Sequence, residues 1–247
     1  MNLWRRYLKY RDEMNRKLRV LFSDRAYLIS FLVGFFLLFL GQYITFKLAT
    51  YNDTFDKITV GDLLLDVLPT VNLGIIYTWG SLISLITITL YTLFARIELA
   101  PWAMKTFGIF FIVRAVFILL THLGAPEGMF YLANPPSEED KFLFSHYFFV
   151  SDLFFSGHVG NLFLSALIFR AYKFRWFGLI GSVVMGVTVL FMKIHYTIDV
   201  LAAYFITYGV YVFSDRIFHT YNERFKALIE KKTKYKFREP YHPEVKV

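Results

Sequence analysis

Hydrophobic positions along the chain fall into six long runs that polar or charged stretches separate. The runs cover about residues 26–48, 72–95, 101–122, 153–172, 176–194 and 196–217. Each has about the 20 residues that an α-helix needs to cross a hydrocarbon core of roughly 30 Å. Because a backbone in lipid must satisfy its own polar groups, each run is predicted to be helical. The pattern therefore predicts an all-α polytopic membrane protein with six transmembrane helices.

The first run resembles a secretory signal only superficially, because it is too long and lacks a cleavage site of small residues. It is predicted to stay in the protein as a transmembrane helix. The composition agrees with a membrane protein, since 56% of the residues are hydrophobic and 20% are aromatic.

Charge predicts how these helices are oriented. The formal net charge is +8, and most basic residues precede the first run or follow the last, whereas the charged residues within 53–66 and 127–140 are mainly acidic. Basic residues mark cytoplasmic segments, so both termini are predicted to be cytoplasmic. Residues 1–25 would form a basic segment, 26–217 the six-span domain and 218–247 a basic tail. The tails are expected to attract anionic lipid headgroups and to bind no nucleic acid.

The chain has no cysteine, which excludes disulfides, cysteine nucleophiles and thiolate metal sites. His122 and His146 lie toward the non-cytoplasmic side and admit a histidine metal cluster. Neither belongs to a ligand pair such as HExxH. A metal site is therefore the less favoured interpretation.

Four ionisable side chains are expected at one depth near the non-cytoplasmic surface. His158 lies near the outer start of the fourth run, and His195 opens the sixth run with Asp199 one turn deeper. Arg114 follows Pro101 by about 20 Å of helix and so lies in the outer half of the bilayer. Ionisable groups inside a membrane usually face the bundle interior or a water-filled cavity. These four residues are predicted to form one site.

The chemistry of this set predicts phosphoryl-group transfer. Asp199 would fix the tautomer of His195, so that the second ring nitrogen can attack as a nucleophile. His158 would protonate the departing oxygen as a general acid.

Phosphate oxygens would be held by three further residues. The planar guanidinium of Arg114 matches a phosphate group. Ser156, Gly157 and the first N–H groups of the fourth helix offer an anion nest at a helix N-terminus.

Each feature also has a structural explanation. Gly157 could serve close helix packing, His195 and Asp199 could be a hydrogen-bonded pair without catalytic role, and Arg114 could balance a buried carboxylate. A transporter or scaffold built on the same helices is a further alternative. A transporter should show inverted repeats or broken midplane helices, and the sequence shows neither. The shared depth and complementary chemistry favour an enzyme.

The motifs resemble those of the sphingomyelin synthases, a branch of the type 2 phosphatidic acid phosphatase superfamily. "DLFFSGH" is followed 37 positions after its histidine by "HYTIDVLAAYF". "RAVFILLTHLGAP" is similar to the arginine-containing motif of that family, and "DLLLDVLP" to a segment of its first outer loop. The resemblance covers roughly residues 26–217.

The resemblance implies a six-span transferase that needs no metal or cofactor. It would move a phosphorylated headgroup, such as phosphocholine or phosphoethanolamine, from a glycerophospholipid to ceramide or a related lipid and release diacylglycerol. His195 would form a phosphohistidine-type intermediate with Asp199 as its partner, and His158 would act as acid and then as base. Asp152, Tyr196 and Tyr204 lie in the same motifs and would support the site.

The chain departs from the family pattern next to these motifs. Val150, Ser151 and Val159 stand where the family has cysteine, glycine and threonine, which puts the choice of substrate in question. The alternative is a lipid phosphatase or phospholipase C-type hydrolase of the same superfamily. The Ser-Arg pair and the KxxxxxxRP motif typical of such phosphatases are missing. In either case, the site would face the periplasm of a bacterium, or the lumen or exterior of a eukaryotic cell.

Overall fold

The structure is a computed structural model that describes residues 3–130 and 153–233. Its helices are α1 (Leu3–Phe22), α2 (Arg25–Asn52), α3 (Leu63–Val67), α4 (Gly74–Leu90), α5 (Ala100–Thr121), α6 (Gly157–Ile168), α7 (Arg175–Phe191) and α8 (Thr197–Lys232). A π-helical turn, Tyr91–Ala95, prolongs α4, and a 3-10 turn, Ile97–Leu99, leads into α5. Apart from one isolated β-bridge between Ile58 and Leu123, the described residues contain no β-structure. The all-α prediction is confirmed for this part of the chain.

Four of these helical segments are long and apolar enough to cross a membrane. They are Arg25–Asn52, Gly74–Ala95, Ile97–Thr121 and Thr197–Phe218. They correspond to the first, second, third and sixth hydrophobic runs. The protein thus has the apolar helices of a membrane protein, while the count of six spans stays a prediction.

The fourth and fifth helices are shorter than the hydrophobic runs that predicted them. α6 has 12 residues and α7 has 17, which is about 18 Å and about 26 Å of helix. Residues 153–156 are not helical because Phe154 and Phe155 have positive φ angles of 82° and 37°. Ser156 then caps α6 by accepting a hydrogen bond from the main-chain N–H of Val159. These local features make α6 begin after the start of the hydrophobic run.

The first and sixth helices are longer than their hydrophobic runs. α2 continues to Asn52, and α8 continues to Lys232, well into the segment predicted as a basic tail. Residues at its far end are buried against the rest of the molecule, including Phe225 and Ile229. Tertiary packing therefore extends α8 beyond the length that lipid alone would require.

Glycine allows α2 and α5 to approach each other closely. A Cβ atom added to Gly34 would lie 2.8 Å from the Pro101 carbonyl oxygen, and one added to Gly41 would lie 2.6 Å from that of Gly108. Thr45 adds a hydrogen bond of 3.1 Å to the Phe111 carbonyl. Helices in membranes pack through such small residues because lipid gives little hydrophobic driving force between them. The paired residues rise together in number, so the two helices run in the same direction.

The remaining long helices lie alongside this pair, so the bundle has two ends. We call the end that holds Asn52, Gly74, Thr121, Gly157 and Thr197 the site end, and the end that holds Arg25, Arg96, Arg170 and Arg175 the basic end. Hydrogen bonds across the site end include Val71 N to Phe191 O at 2.8 Å. At the basic end, the rings of Tyr91 and Phe174 stack at 3.9 Å. All helix starts with candidate catalytic residues lie at the site end.

Helix α1 lies against the basic end. Its Leu21 is fully buried in a cluster with Tyr27, Ile97, Phe225 and Ile229. This cluster ties α1 to α2, α5 and the far end of α8. The sequence predicted only a basic segment here, because the burial of Leu21 depends on residues about 200 positions away.

Candidate active site

The site is built where α6 and α8 begin side by side. The main-chain N–H of Ser156, which precedes α6, donates a hydrogen bond of 3.1 Å to the carbonyl oxygen of Asp199 in the first turn of α8. Both residues are completely buried. This bond joins the segment that carries His158 to the segment that carries His195 and Asp199. Two motifs that lie 37 residues apart in sequence are thereby brought together.

His195 and Asp199 form a buried hydrogen-bonded pair. The distance from His195 Nδ1 to Asp199 Oδ2 is 3.2 Å, and the residues are 3% and 0% exposed. The same carboxylate oxygen accepts a bond of 3.1 Å from the main-chain N–H of Tyr196. Two donors therefore hold the carboxylate in place. With the proton on Nδ1, the lone pair of His195 lies on Nε2, on the side of the ring away from Asp199.

Arg114 lies directly against the N-terminus of α6. Its Nε donates a hydrogen bond of 3.3 Å to the Phe155 carbonyl oxygen, and the residue is 5% exposed. A Cβ atom added to Gly157 would lie 2.8 Å from Arg114 Nε and 2.9 Å from Cζ. The absence of a side chain at Gly157 therefore makes room for the guanidinium. The arrangement places a permanent positive charge beside the first N–H groups of a helix, where anions bind favourably.

His158 stands in the first turn of α6 and is half-buried. Its ring faces Tyr77 of α4, with ring centroids 4.6 Å apart. The helix capped by Ser156 fixes the position of the histidine relative to α8, since Ser156 also bonds to Asp199. His158 is therefore held at the site end with part of its surface open.

The loop between α2 and α4 caps the start of α8, which the sequence did not predict. Asp62 accepts a bond of 2.6 Å from Thr197 N and one of 2.8 Å from Thr197 Oγ1. Burial tends to raise the pKa of the Asp62 carboxyl, but these bonds and those from the N–H groups of Leu64 and Leu65 outweigh it, so its pKa is below the ordinary 3.8. A charged cap thus stabilises the helix that carries Asp199.

Tyr196 connects the same helix start to a third segment. Its hydroxyl donates a hydrogen bond of 2.9 Å to the Gly124 carbonyl and accepts one of 3.3 Å from the N–H of Val60. The residue is 1% exposed. Its side chain therefore connects the start of α8 to the loops around the site. Only a long-range contact reveals this role, so sequence spacing could not indicate it.

The structure separates Tyr204 from this group. Its hydroxyl lies 3.5 Å from Ser182 Oγ of α7, and its ring contacts Phe163 of α6 at 5.0 Å between centroids. Asp152 and His146 lie outside the described residues. The ring of His122 stacks on Phe55 at 4.5 Å. Among the residues that the structure describes, no three His, Cys, Asp or Glu side chains group together in a way that could hold a metal.

The described geometry brings five of the predicted residues into one neighbourhood. They are Arg114, Ser156, Gly157, His195 and Asp199, with His158 one residue beyond Gly157. A histidine with an oriented carboxylate, a second histidine and an arginine at a helix N-terminus can together perform nucleophilic transfer of a phosphorylated group. Their catalytic roles remain predictions.

Comparison with known proteins supports part of this interpretation. Residues 151–216 match the family model described as "PAP2 superfamily C-terminal", and this segment contains both histidines and Asp199. The match suggests activity of the lipid phosphatase or phosphotransferase type. It covers about a quarter of the chain and does not distinguish the sphingomyelin synthases within the superfamily. No curated protein and no solved structure shows a significant match.

Proposed function

We propose that the protein is a lipid phosphotransferase that moves a phosphorylated headgroup from a glycerophospholipid to ceramide or a related lipid. The observation that carries this proposal is the His195–Asp199 pair at 3.2 Å, joined through the Ser156–Asp199 bond to the helix start beside Arg114. The family match over residues 151–216 supports phosphoryl chemistry. The resemblance of the motifs to the sphingomyelin synthases supports transfer to a lipid.

In the first step, the lone pair of His195 Nε2 attacks the phosphorus atom of the donor lipid. A P–N bond forms while the bond between phosphorus and the glycerol oxygen breaks. Protonated His158 gives its proton to that oxygen, and diacylglycerol leaves. The charge that develops on the imidazole is balanced by Asp199, which stays ionised as in other triads.

In the second step, the primary hydroxyl of ceramide attacks the same phosphorus atom. His158, now neutral, takes the hydroxyl proton as the P–O bond forms. The P–N bond breaks and its electron pair returns to Nε2, which restores both histidines. The two steps conserve charge and need no group beyond the two lipids.

Arg114 and the N-terminus of α6 would hold the phosphate oxygens during both steps. The guanidinium is buried and lies against Gly157, so it acts where water screens little. Donors fixed in advance at such a position stabilise the charge that develops in the transition state. The first main-chain N–H groups of α6 point toward the N-terminus of that helix, where the guanidinium lies, because they belong to its first turn.

We also propose that the site end faces the non-cytoplasmic side of the membrane. The opposite end carries Arg25, Arg96, Arg170 and Arg175, together with basic residues of α1 and of the end of α8. Basic residues favour the cytoplasmic side. The short helices α6 and α7 would cross the bilayer together with their flanking segments, which gives six spans.

The experiment uses purified protein in liposomes that contain a headgroup-labelled phosphatidylcholine or phosphatidylethanolamine, with and without ceramide. We expect a new labelled sphingolipid that depends on ceramide. His195→Ala should abolish it, and Asp199→Asn should lower the rate roughly 10³-fold or more, because the amide favours the wrong imidazole tautomer and cannot balance the charge on the ring. His122→Asn is the matched control, since this histidine stacks on Phe55 outside the site.

Three results would contradict the proposal. Label released only into water, with or without ceramide, would indicate the hydrolase of the same superfamily. Wild-type rates in His195→Ala would exclude this histidine as the nucleophile. An equal loss in His122→Asn would show that the site variants fail for reasons of folding.

A further inference from the structure

A cavity of about 540 Å³ lies between α2, α4, α5 and α6. It opens sideways, because Phe35 and Phe39 of α2 and Leu85 of α4 border it and are 59%, 68% and 50% exposed. In the described part of the chain, α2 packs on α5 and α4 packs on α7, whereas α2 and α4 pack little on each other. The mouth of the cavity therefore opens toward the hydrocarbon of the membrane. Its volume is in the range of roughly 300–1,000 Å³ typical of sites for small ligands.

The wall of the cavity is mainly apolar, and two of its hydroxyls already have acceptors. Ser81 donates to the Tyr77 carbonyl and Thr92 to the Ile88 carbonyl, each within its own helical segment. Within the described residues, His158 is the one titratable side chain of the lining. A ligand in this cavity is thus mainly hydrocarbon and presents its polar end to His158.

The lining includes none of the other candidate catalytic residues. His195, Asp199 and Arg114 all lie outside it, although they belong to the same end of the bundle. His158 is the group that exchanges a proton with a lipid hydroxyl in both steps of the proposed reaction. The cavity therefore leads to the position of the neutral lipid and not to that of the phosphate.

The cavity has a limited depth. On α5 it extends from Phe111 to Ala100, about 16 Å toward the basic end. There Phe31, Leu93 and Met104 belong both to its lining and to the hydrophobic cluster that includes Met14 and Leu18 of α1. α1 thus supports the floor of the cavity, and a hydrocarbon chain can enter only as far as this floor.

Asn161 supplies a polar group close to His158. It lies three residues further along α6 and lines the same cavity. Its Oδ1 is shielded from solvent and has no hydrogen-bond partner within the described part of the chain. A buried acceptor without a partner is unfavourable, so this amide is suited to a donor on a bound molecule. The reacting hydroxyl faces His158, so the donor must be a second N–H or O–H group of the lipid.

We propose that this cavity binds one hydrocarbon chain of the acceptor lipid, and that Asn161 accepts a hydrogen bond from the amide N–H or second hydroxyl of that lipid. The inference rests on the proposed function, because the acceptor is defined by the transfer reaction. Ceramide has such a second donor, whereas diacylglycerol has only the reacting hydroxyl. Asn161 is therefore a specificity residue that favours the acceptor over the released product.

The test measures binding without chemistry. His195→Ala protein in liposomes is photolabelled with a ceramide or a diacylglycerol that carries a diazirine in one acyl chain, and labelled residues are identified by mass spectrometry. We expect the ceramide probe to label inward-facing residues such as Ala103 and Phe107, and unlabelled ceramide to compete. Ser84→Phe, which fills the cavity, should remove this labelling, whereas Ile86→Phe on the lipid-facing side of α4 should not.

A second comparison tests Asn161. Asn161→Leu should weaken ceramide labelling about five-fold, the effect of one hydrogen bond, and diacylglycerol labelling less than two-fold. Equal losses for both probes would overturn the role of Asn161. Labelling confined to lipid-facing residues, or unchanged in Ser84→Phe, would overturn the cavity assignment. Leu85→Trp at the mouth replaces Ser84→Phe if that variant does not fold.

The two proposals fail in different ways. If the cavity is labelled but the protein transfers no headgroup, the lipid-binding site is supported and the transfer reaction is rejected. If the protein transfers a headgroup to ceramide but its cavity takes no label, the transfer reaction is supported and the lipid-binding site is rejected.

Discussion

The Asp199 side chain joins two functions at the scale of single residues. One carboxylate oxygen contacts both His195 Nδ1 and the N–H of Tyr196, so it orients the candidate nucleophile and caps the start of α8. The main-chain carbonyl of the same residue accepts the bond from Ser156 N. A change of the Asp199 side chain is therefore expected to affect both catalysis and the helix start, whereas the main-chain bond to Ser156 can persist. Asparagine is the most informative replacement, because it keeps the size and one oxygen.

Asp62 gives a prediction on the dependence of stability on pH. The pKa of its carboxyl is below the ordinary 3.8 in the folded protein, so folding favours the ionised form. Its contribution is complete above the ordinary pKa and is lost as the pH falls through the folded pKa. We expect Asp62→Asn to be less stable than wild type at pH 7, and the difference to shrink as the pH falls from 5 toward 3.

Thermal unfolding in detergent, followed by intrinsic fluorescence between pH 3 and pH 7, measures this difference. Asp66→Asn is the control, since Asp66 is exposed on the same short helix. A constant difference between Asp62→Asn and wild type over the whole range would show that the charge of Asp62 does not stabilise the start of α8.

The ionisable residues of the candidate site could be singled out in the sequence because such groups are rare inside hydrophobic runs. Arg114, His158, His195 and Asp199 stood out for that reason. Asp62 did not, because an aspartate in a polar loop is unremarkable until the fold brings it to Thr197. Tyr196 likewise belonged to a motif, but its contact with Gly124 depends on a loop 72 positions away.

At the scale of elements, hydropathy indicated some helices and helix boundaries but not others. The runs that became α2, α4, α5 and α8 were long enough to be recognised from hydropathy alone. Hydropathy did not indicate where α6 begins, because the sharp turn at Phe154 and Phe155 consists of apolar residues. It did not indicate the extension of α8 either, since that extension depends on packing against α1.

The attachment of α1 gives a prediction at this scale. Lys17 Nζ and Arg96 Nη1 each lie 3.8 Å from a carboxylate oxygen of Glu98, which is completely buried. Removal of one partner leaves a buried charge less compensated. We expect Lys17→Met to destabilise the protein by about 3 kcal/mol, and the double variant Lys17→Met, Glu98→Gln to recover most of that loss.

Chemical denaturation of the three proteins in the same detergent measures these differences. Arg11→Met is the control, because Arg11 pairs with Asp12 on the exposed surface. Equal stability of the single and double variants would mean that the buried charge of Glu98 does not need Lys17 to compensate it.

At the scale of the whole molecule, the candidate catalytic residues and most of the cavity lie at different depths. The candidate catalytic residues lie at the site end, the cavity extends from His158 toward the basic end, and α1 supports its floor. The all-α class and the clustering of both histidine motifs followed from the sequence. The cavity did not, because it arises from a gap between α2 and α4 that no local pattern encodes.

The most direct measurement of the central proposal is to trap the covalent intermediate. Wild-type protein in liposomes is mixed with phosphatidylcholine labelled at phosphorus, stopped in alkali within one turnover and digested, since a phosphorus–nitrogen bond survives alkali better than acid. We predict label on the peptide that contains His195, its loss when ceramide is added, and none in His195→Ala. Labelled product that forms while no protein-bound label appears, or label on His158 instead, would contradict the proposed mechanism.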